Sequence, residues 1–280
     1  MKIVKTVQDM QQLSKRVKIH NKSIGFVPTM GYLHNGHLSL IHRARKGCDI
    51  VVMSIFVNPM QFAPAEDLKK YPRDFGMDRK LAEKAGVDVI FYPDTKHIYV
   101  KGFSTFVSVE NMDKIWEGKT RPAHFRGVCT IVGKLFNIVD PDIAYFGQKD
   151  AQQVAIIKRM VKDLNFNIRI VVVPTVREKD GLAMSSRNKY LSSEERKGAL
   201  VLYRSLQEAE EMIKNGEKKS DNVLEYMRSV VKKERLVHLD YVGIVNHEDF
   251  SPVSEISKNS LIIIACRIGK TRLIDNFLLI

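Results

Sequence analysis

Pro28-Thr29-Met30-Gly31-Tyr32-Leu33-His34-Asn35-Gly36-His37 follows the apolar run Ile24-Gly25-Phe26-Val27 and precedes a helix-like segment, Leu38 to Arg45. That order spells a strand, a tight glycine-containing turn, and two imidazoles three residues apart where a helix begins. Side chains three apart share a helix face. A helix N-terminus offers unpaired N–H groups and the positive end of a dipole, which suits phosphate. His34 and His37 would add two donors to such an anion site. Taken alone, the stretch reads equally well as a βα turn carrying two surface histidines, so the decision passes to the rest of the chain.

Outward from that turn, short β-rich runs alternate with helical patterns. Asp49 to Val57 is nearly all apolar, as in a parallel strand buried on both faces, and Asn58-Pro59-Met60-Gln61-Phe62 breaks it. Asp74 to Ala85 reads as a helix closed by Gly86, and Val87 to Phe91 as the next strand. Helices are expected over Val128–Val139 and Ala151–Leu164, and strands over Ile143–Phe146 and Ile168–Val173. Strands alternating with helices predict βαβ units and a parallel sheet. Ligands of such sheets bind outside the carboxyl ends of the strands. The segments after Val27, Val57, Phe146 and Val173 should therefore open onto one crevice.

The pattern changes after about residue 187. Ser193 to Asn215 reads as one long amphipathic helix, N-capped by Ser192 or Ser193, and Asp221 to Glu234 as a second, charged helix. Strand-like runs follow at Leu239–Val245, Leu261–Cys266 and Thr271–Asn276. The expectation is a Rossmann-like α/β domain over residues 1–180 and a smaller α+β domain over 181–280.

Composition narrows the class. The chain has 280 residues, 44% hydrophobic and 28% charged, as in a globular protein with a substantial core. No apolar run approaches the ~20 residues needed to span a bilayer. The N-terminus shows no signal-peptide h-region, and Cys48, Cys129 and Cys266 lie far apart in apolar contexts. A cytoplasmic protein with reduced thiols and no membrane association is expected. A net charge of +13 invites nucleic acid as partner. The basic residues are instead spread along the chain among acids, with no basic tail and no zinc-finger spacing. A basic surface also attracts small polyanions such as a nucleoside triphosphate, so nucleic-acid binding is kept only as the alternative class.

Two further loops carry chemistry. Gly147-Gln148-Lys149-Asp150 sits between a strand and a helix, with a sharp turn, a mobile ammonium and a capping carboxylate, and Gln153 follows one helical turn later. Ala183-Met184-Ser185-Ser186-Arg187-Asn188 offers two hydroxyls and a guanidinium to an anion. Gly269-Lys270-Thr271 resembles the end of a P-loop, but Ile264 stands where the first glycine is required.

The H-x-G-H turn together with the basic serine loop resembles the paired signatures of the class I aminoacyl-tRNA synthetase and nucleotidyltransferase superfamily. Phe56 to Phe62, Tyr71-Pro72-Arg73, His124 to Val128, Phe146 to Asp150, Met184 to Asn188 and Arg272 to Asn276 follow in an order similar to that of the pantoate–β-alanine ligase family. That resemblance implies condensation of pantoate with β-alanine through a pantoyl adenylate, with ATP as substrate, Mg²⁺, and a homodimer. It implies ATP contacts from Met30, Gly31, His34, Gly36, His37, Gly147, Gln148, Lys149, Asp150, Val176, Met184, Ser185, Ser186 and Arg187. His37, His34, Lys149 and Arg187 would be the catalytic set. Gln61 and Gln153 would bind the pantoate hydroxyls and carboxylate, with Asn58 and Tyr71 beside them. The metal ligands stay open, with Asp78 as one candidate. An adenylyltransferase acting on a phosphorylated acceptor is the enzymatic alternative, and a basic RNA-binding module the non-enzymatic one.

Overall fold

The computed structural model describes residues 1–63 and 67–279. The chain divides into two compact units, residues 1–147 with 156–173, and residues 148–155 with 174–280.

Among the described residues of the first unit, six strands form one parallel sheet: β1 (Lys2–Val4), β2 (Ile24–Thr29), β3 (Ile50–Ile55), β4 (Val89–Phe91), β5 (Ile143–Gly147) and β6 (Arg169–Val173), in the order β1-β4-β3-β2-β5-β6. The connections carry α1 (Val7–Ile19), α2 (Asn35–Gly47), α3 (Phe75–Ala85), α4 (Thr95–Ile98), α5 (Glu117–Thr120), α6 (His124–Val139) and α7 (Ala151–Asp163). The apolar runs become central strands because helices cover both faces; Val51, Val52 and Met53 of β3 are fully buried. From β2 the chain moves outward through β3 on one side, whereas β5 and β6 extend the sheet on the other. The strand order therefore reverses at β2, and the crevice such sheets use for ligands falls at its carboxyl end.

In the second unit, α8 (Ser193–Ala199), α9 (Val201–Lys214) and α10 (Ser220–Lys232) pack on an antiparallel sheet of β7 (Val237–Asn246), β8 (Ser260–Ile268) and β9 (Thr271–Leu278). Leu202, Leu206, Val223 and Met227 meet Ile262, Ile264 and Cys266 in its core. The single helix expected over Ser193–Asn215 is split, because Leu200 N–H turns back to the Lys197 carbonyl three residues earlier. Gly269-Lys270 is the link between β8 and β9, so the P-loop-like tripeptide belongs to a hairpin. Similarly, α6 starts at His124 rather than Val128, after Ala123 at a φ of 67°.

Candidate active site

The turn after β2 is held by an acid from another element. Asp78 of α3 accepts the backbone N–H of Tyr32 at 2.8 Å and of Leu33 at 2.7 Å. Thr29 Oγ1 accepts the Gly31 N–H at 3.2 Å and donates to the Ser54 carbonyl at 2.8 Å, tying the turn to β3. Gly31 adopts a φ of +83°, and a Cβ there would stand 2.8 Å from Asp78 Oδ2. Glycine is thus required twice over, by conformation and by space. Burial pushes the Asp78 carboxyl above its usual range, against the opposite pull of its two backbone donors. With each oxygen holding one backbone N–H and the residue 2% exposed, Asp78 clamps the turn.

His34 is the N-cap of α2, and the two histidines form a capping box. His34 Nδ1 accepts the Gly36 N–H at 3.1 Å, and His37 Nδ1 accepts the His34 N–H at 3.3 Å. Their ring centroids are 4.1 Å apart. Because Nδ1 is the acceptor in both rings, the hydrogen-bond pattern assigns the ring proton of each neutral imidazole to Nε2. The cap therefore prepares two Nε2–H donors at a helix N-terminus, the chemistry a phosphate requires. Met30, Gly31 and Gly36 lie in the same turn and first helical residues.

Gln61 closes the short 3₁₀ turn Pro59–Gln61 after β3. Its carbonyl accepts from His124 Nδ1 at 2.9 Å and from Arg121 at 3.3 Å. Its side-chain Oε1 accepts from Asn58 Nδ2 at 3.1 Å, and its Nε2 donates to Met30 Sδ at 3.0 Å. The last contact joins the amide expected at pantoate to the turn expected at ATP. Asn58, a weaker candidate for direct contact, is 1% exposed and also bonds the Gly127 carbonyl, the Met60 N–H and the Tyr99 hydroxyl. Its four hydrogen-bonding positions are all taken by protein, so it acts from behind Gln61. Tyr71 is buried, edge-on to Phe62.

The loops after β5 and β6 belong to the second unit. Gln148–Asp150 forms a 3₁₀ turn, with Lys149 Nζ 3.1 Å from Asp150 Oδ1. Asn276 of β9 donates to the carbonyls of Gln148 at 3.0 Å and Lys149 at 2.9 Å, and accepts from Gln148 Nε2 at 3.0 Å. Gln153, half-buried, lies in the first turn of α7. In the loop after β6, Met184 N–H donates to the Val176 carbonyl at 3.0 Å, and Ser185 Oγ accepts the Arg187 N–H at 3.2 Å. Ser186 and Arg187 open the 3₁₀ segment Ser186–Tyr190. Asn188 ties that segment back through Glu178 Oε1 at 2.8 Å and the Ala183 carbonyl at 3.1 Å. Sequence reasoning did not identify Asn276, Tyr99 or His124 as supports of these residues. Their order along the chain was visible, but nothing local indicates a partner 128 positions away.

Among the described residues, no group of three or more His, Cys, Asp or Glu is placed to hold a metal ion, and no helix is long and apolar enough to cross a membrane.

A parallel sheet of this order, with an H-x-G-H helix cap at its switch point, defines a nucleotidyltransferase-type fold. The family model described as pantoate-beta-alanine ligase matches residues 2–278, and the chain belongs to that family. It is 55% identical to pantothenate synthetase of Caldicellulosiruptor bescii, over 99% of this chain and 98% of the relative. With pantothenate synthetase of Thermotoga neapolitana it shares 52% identity over 100% of both chains. The crystal structure of pantothenate synthetase from Thermus thermophilus superposes with a TM-score of 0.95 at 46% identity, covering 100% of this chain and 99% of that one. Pantoate-beta-alanine ligase from Francisella tularensis, complexed with beta-gamma ATP and beta-alanine, gives 0.80 at 37% identity, covering 99% of this chain and 97% of that one.

Proposed function

We propose that this ligase works in two steps with the residues described above. In the first, a pantoate carboxylate oxygen attacks the α-phosphorus of ATP, the bond to the bridging oxygen breaks, and pyrophosphate leaves. In the second, the β-alanine amine attacks the acyl carbon, the bond to AMP breaks, and the nitrogen gives up a proton. His34 and His37 donate Nε2–H to phosphate oxygens on which charge builds, and Lys149 and Arg187 neutralise the α-phosphoryl group and the departing pyrophosphate. Ser185 and Ser186 bind phosphate oxygens, Gly147 and Asp150 the ribose, and the Val176 backbone the adenine edge. Gln61 and Gln153 bind pantoate as neutral amides, which leaves its carboxylate nucleophilic.

The observation that carries this reading is the Gln61 Nε2 to Met30 Sδ contact at 3.0 Å, which links the acid-binding amide to the histidine-capped turn. Mg²⁺ belongs to the reading as the counter-ion of the triphosphate, held chiefly by phosphate and water, because the protein offers no cation cage among its described residues. A homodimer and a cytoplasmic location are part of the same proposal and rest on family membership.

Supplying ATP, pantoate and β-alanine and following AMP tests the function. AMP released only when all three are present, with a large loss in His37→Ala at unchanged folding, is expected. Pyrophosphate appearing only with a phosphorylated acceptor would favour an adenylyltransferase instead, and full turnover by His37→Ala would remove that residue from the mechanism.

A further inference from the structure

Gln61 has two faces for a ligand to meet, a carbonyl and an amino group, and which one it presents is decided behind it. The Gly127 carbonyl, an obligate acceptor, takes Asn58 Nδ2 at 3.0 Å, and the Met60 N–H, an obligate donor, reaches Asn58 Oδ1 at 3.3 Å. Asn58 therefore has one orientation, with its second Nδ2 hydrogen on Gln61 Oε1 at 3.1 Å. Gln61 must then present Nε2. Met30 Sδ takes one of its hydrogens, and the other has no acceptor among the described residues. A donor is what a hydroxyl or carboxylate oxygen of an acid substrate would bond.

The 3.3 Å bond from Met60 is long, and the short contact on Asn58 Oδ1 comes from the Tyr99 hydroxyl at 2.7 Å. Tyr99 follows α4 and is packed by Phe56 and Phe103, at ring-centroid distances of 6.3 and 5.0 Å. Burial raises its hydroxyl above the usual value, so it remains an O–H donor. Nothing places Tyr99 at the substrate; its hydroxyl acts on Asn58.

We propose that Tyr99 is a positioning residue for acid-substrate recognition, its hydroxyl holding Asn58 so that Gln61 meets pantoate as a hydrogen-bond donor. The proposal rests on the reading of Gln61 as a pantoate ligand. Tyr99→Phe keeps the ring and its packing and removes only the oxygen. The expected result is a KM for pantoate raised about 3- to 10-fold, the worth of one hydrogen bond, with KM for ATP and KM for β-alanine unchanged and the melting temperature lowered by no more than the loss of that one bond accounts for. In a Gln61→Ala background the same substitution should add nothing. Gln61→Ala measured alongside separates the two ideas. If it raises KM for pantoate while Tyr99→Phe does not, the role of Tyr99 is wrong and that of Gln61 stands. If Gln61→Ala leaves pantoate use intact, the reading of Gln61 fails and the role of Tyr99 fails with it. A Tyr99→Phe enzyme with all three KM values and the melting temperature altered together would reduce the hydroxyl to a structural part and overturn the proposal.

Discussion

Asp275 accepts both terminal guanidinium donors of Arg177, at 2.6 and 3.0 Å, through a side chain only 1% exposed. Arg177 also donates to the Gly181 carbonyl at 3.1 Å and lies over the Tyr203 ring at 4.3 Å. One strand residue thus fixes the loop that begins at Val176 and returns through Met184. Removing one partner of a buried pair strands the other charge, at a cost of about 3–5 kcal/mol. Arg177→Ala should therefore destabilise the second unit strongly, read as lost hydrogen-exchange protection along β9. Arg177→Lys keeps the charge without the fork and should fall between the two. Equal protection in all three proteins would show that the pair does not hold the loop.

The histidine cap separates stability from chemistry at a single position. His34 accepts the Gly36 N–H through Nδ1, and asparagine is among the best residues for that task. His34→Asn should keep the stability of α2, whereas His34→Ala should lose about 1 kcal/mol. Both lack Nε2 and should lose most adenylate formation. Urea unfolding together with pyrophosphate exchange distinguishes the effects, and an active His34→Asn enzyme would assign the histidine to capping alone.

The β2 turn was legible because strand, glycine and helix start are all local signals, and the parallel sheet followed from the spacing of the apolar runs. Elements with weak local signals were missed. β1 has three residues, and α1 buries a narrow stripe that includes Met10 and Ser14, so Val7 to Ile19 looks merely polar. The residues of the site were legible as chemistry, but not what orients them. Asn58 is a polar residue after a strand in sequence, and only the fold shows it saturated by Gly127, Met60, Gln61 and Tyr99. Likewise, Gly147-Gln148-Lys149-Asp150 reads as a βα turn, while its carbonyls are held by Asn276 on β9.

Asp78 gives the β2 turn a pH signature. Burial is the largest influence on its carboxyl and raises it, the N–H groups of Leu33 and Tyr32 lower it, and nearby Asp74 raises it further. A folded value above the unfolded one means that the fold prefers the protonated acid. That preference is fully present below the unfolded value, about pH 4, and is lost as pH rises through the folded one. The stability gap between the native protein and Asp78→Asn should be widest in acid and narrow as pH rises. Urea titrations between about pH 3.5 and 6 measure it. A gap that widens with pH would mean that the two backbone donors outweigh burial.

Gly127 lets α6 touch the turn that carries Gln61. A Cβ there would stand 2.4 Å from the Met60 carbonyl oxygen and 2.7 Å from Gln61 Cα, both backbone atoms that cannot rotate aside. Gly127→Ala must push the Pro59–Gln61 turn away from the helix, and so away from the Gly127 carbonyl that orients Asn58. Overpacking of this kind costs about 1–3 kcal/mol. A displaced ligand should weaken pantoate use by on the order of tenfold or more. ATP binding should suffer less, because the His34–His37 cap is closed by Gly36 and the backbone of α2 itself. Calorimetry with each substrate separately is the measurement. Parallel losses for ATP and pantoate would show that the Gln61 turn serves the whole site rather than the acid substrate.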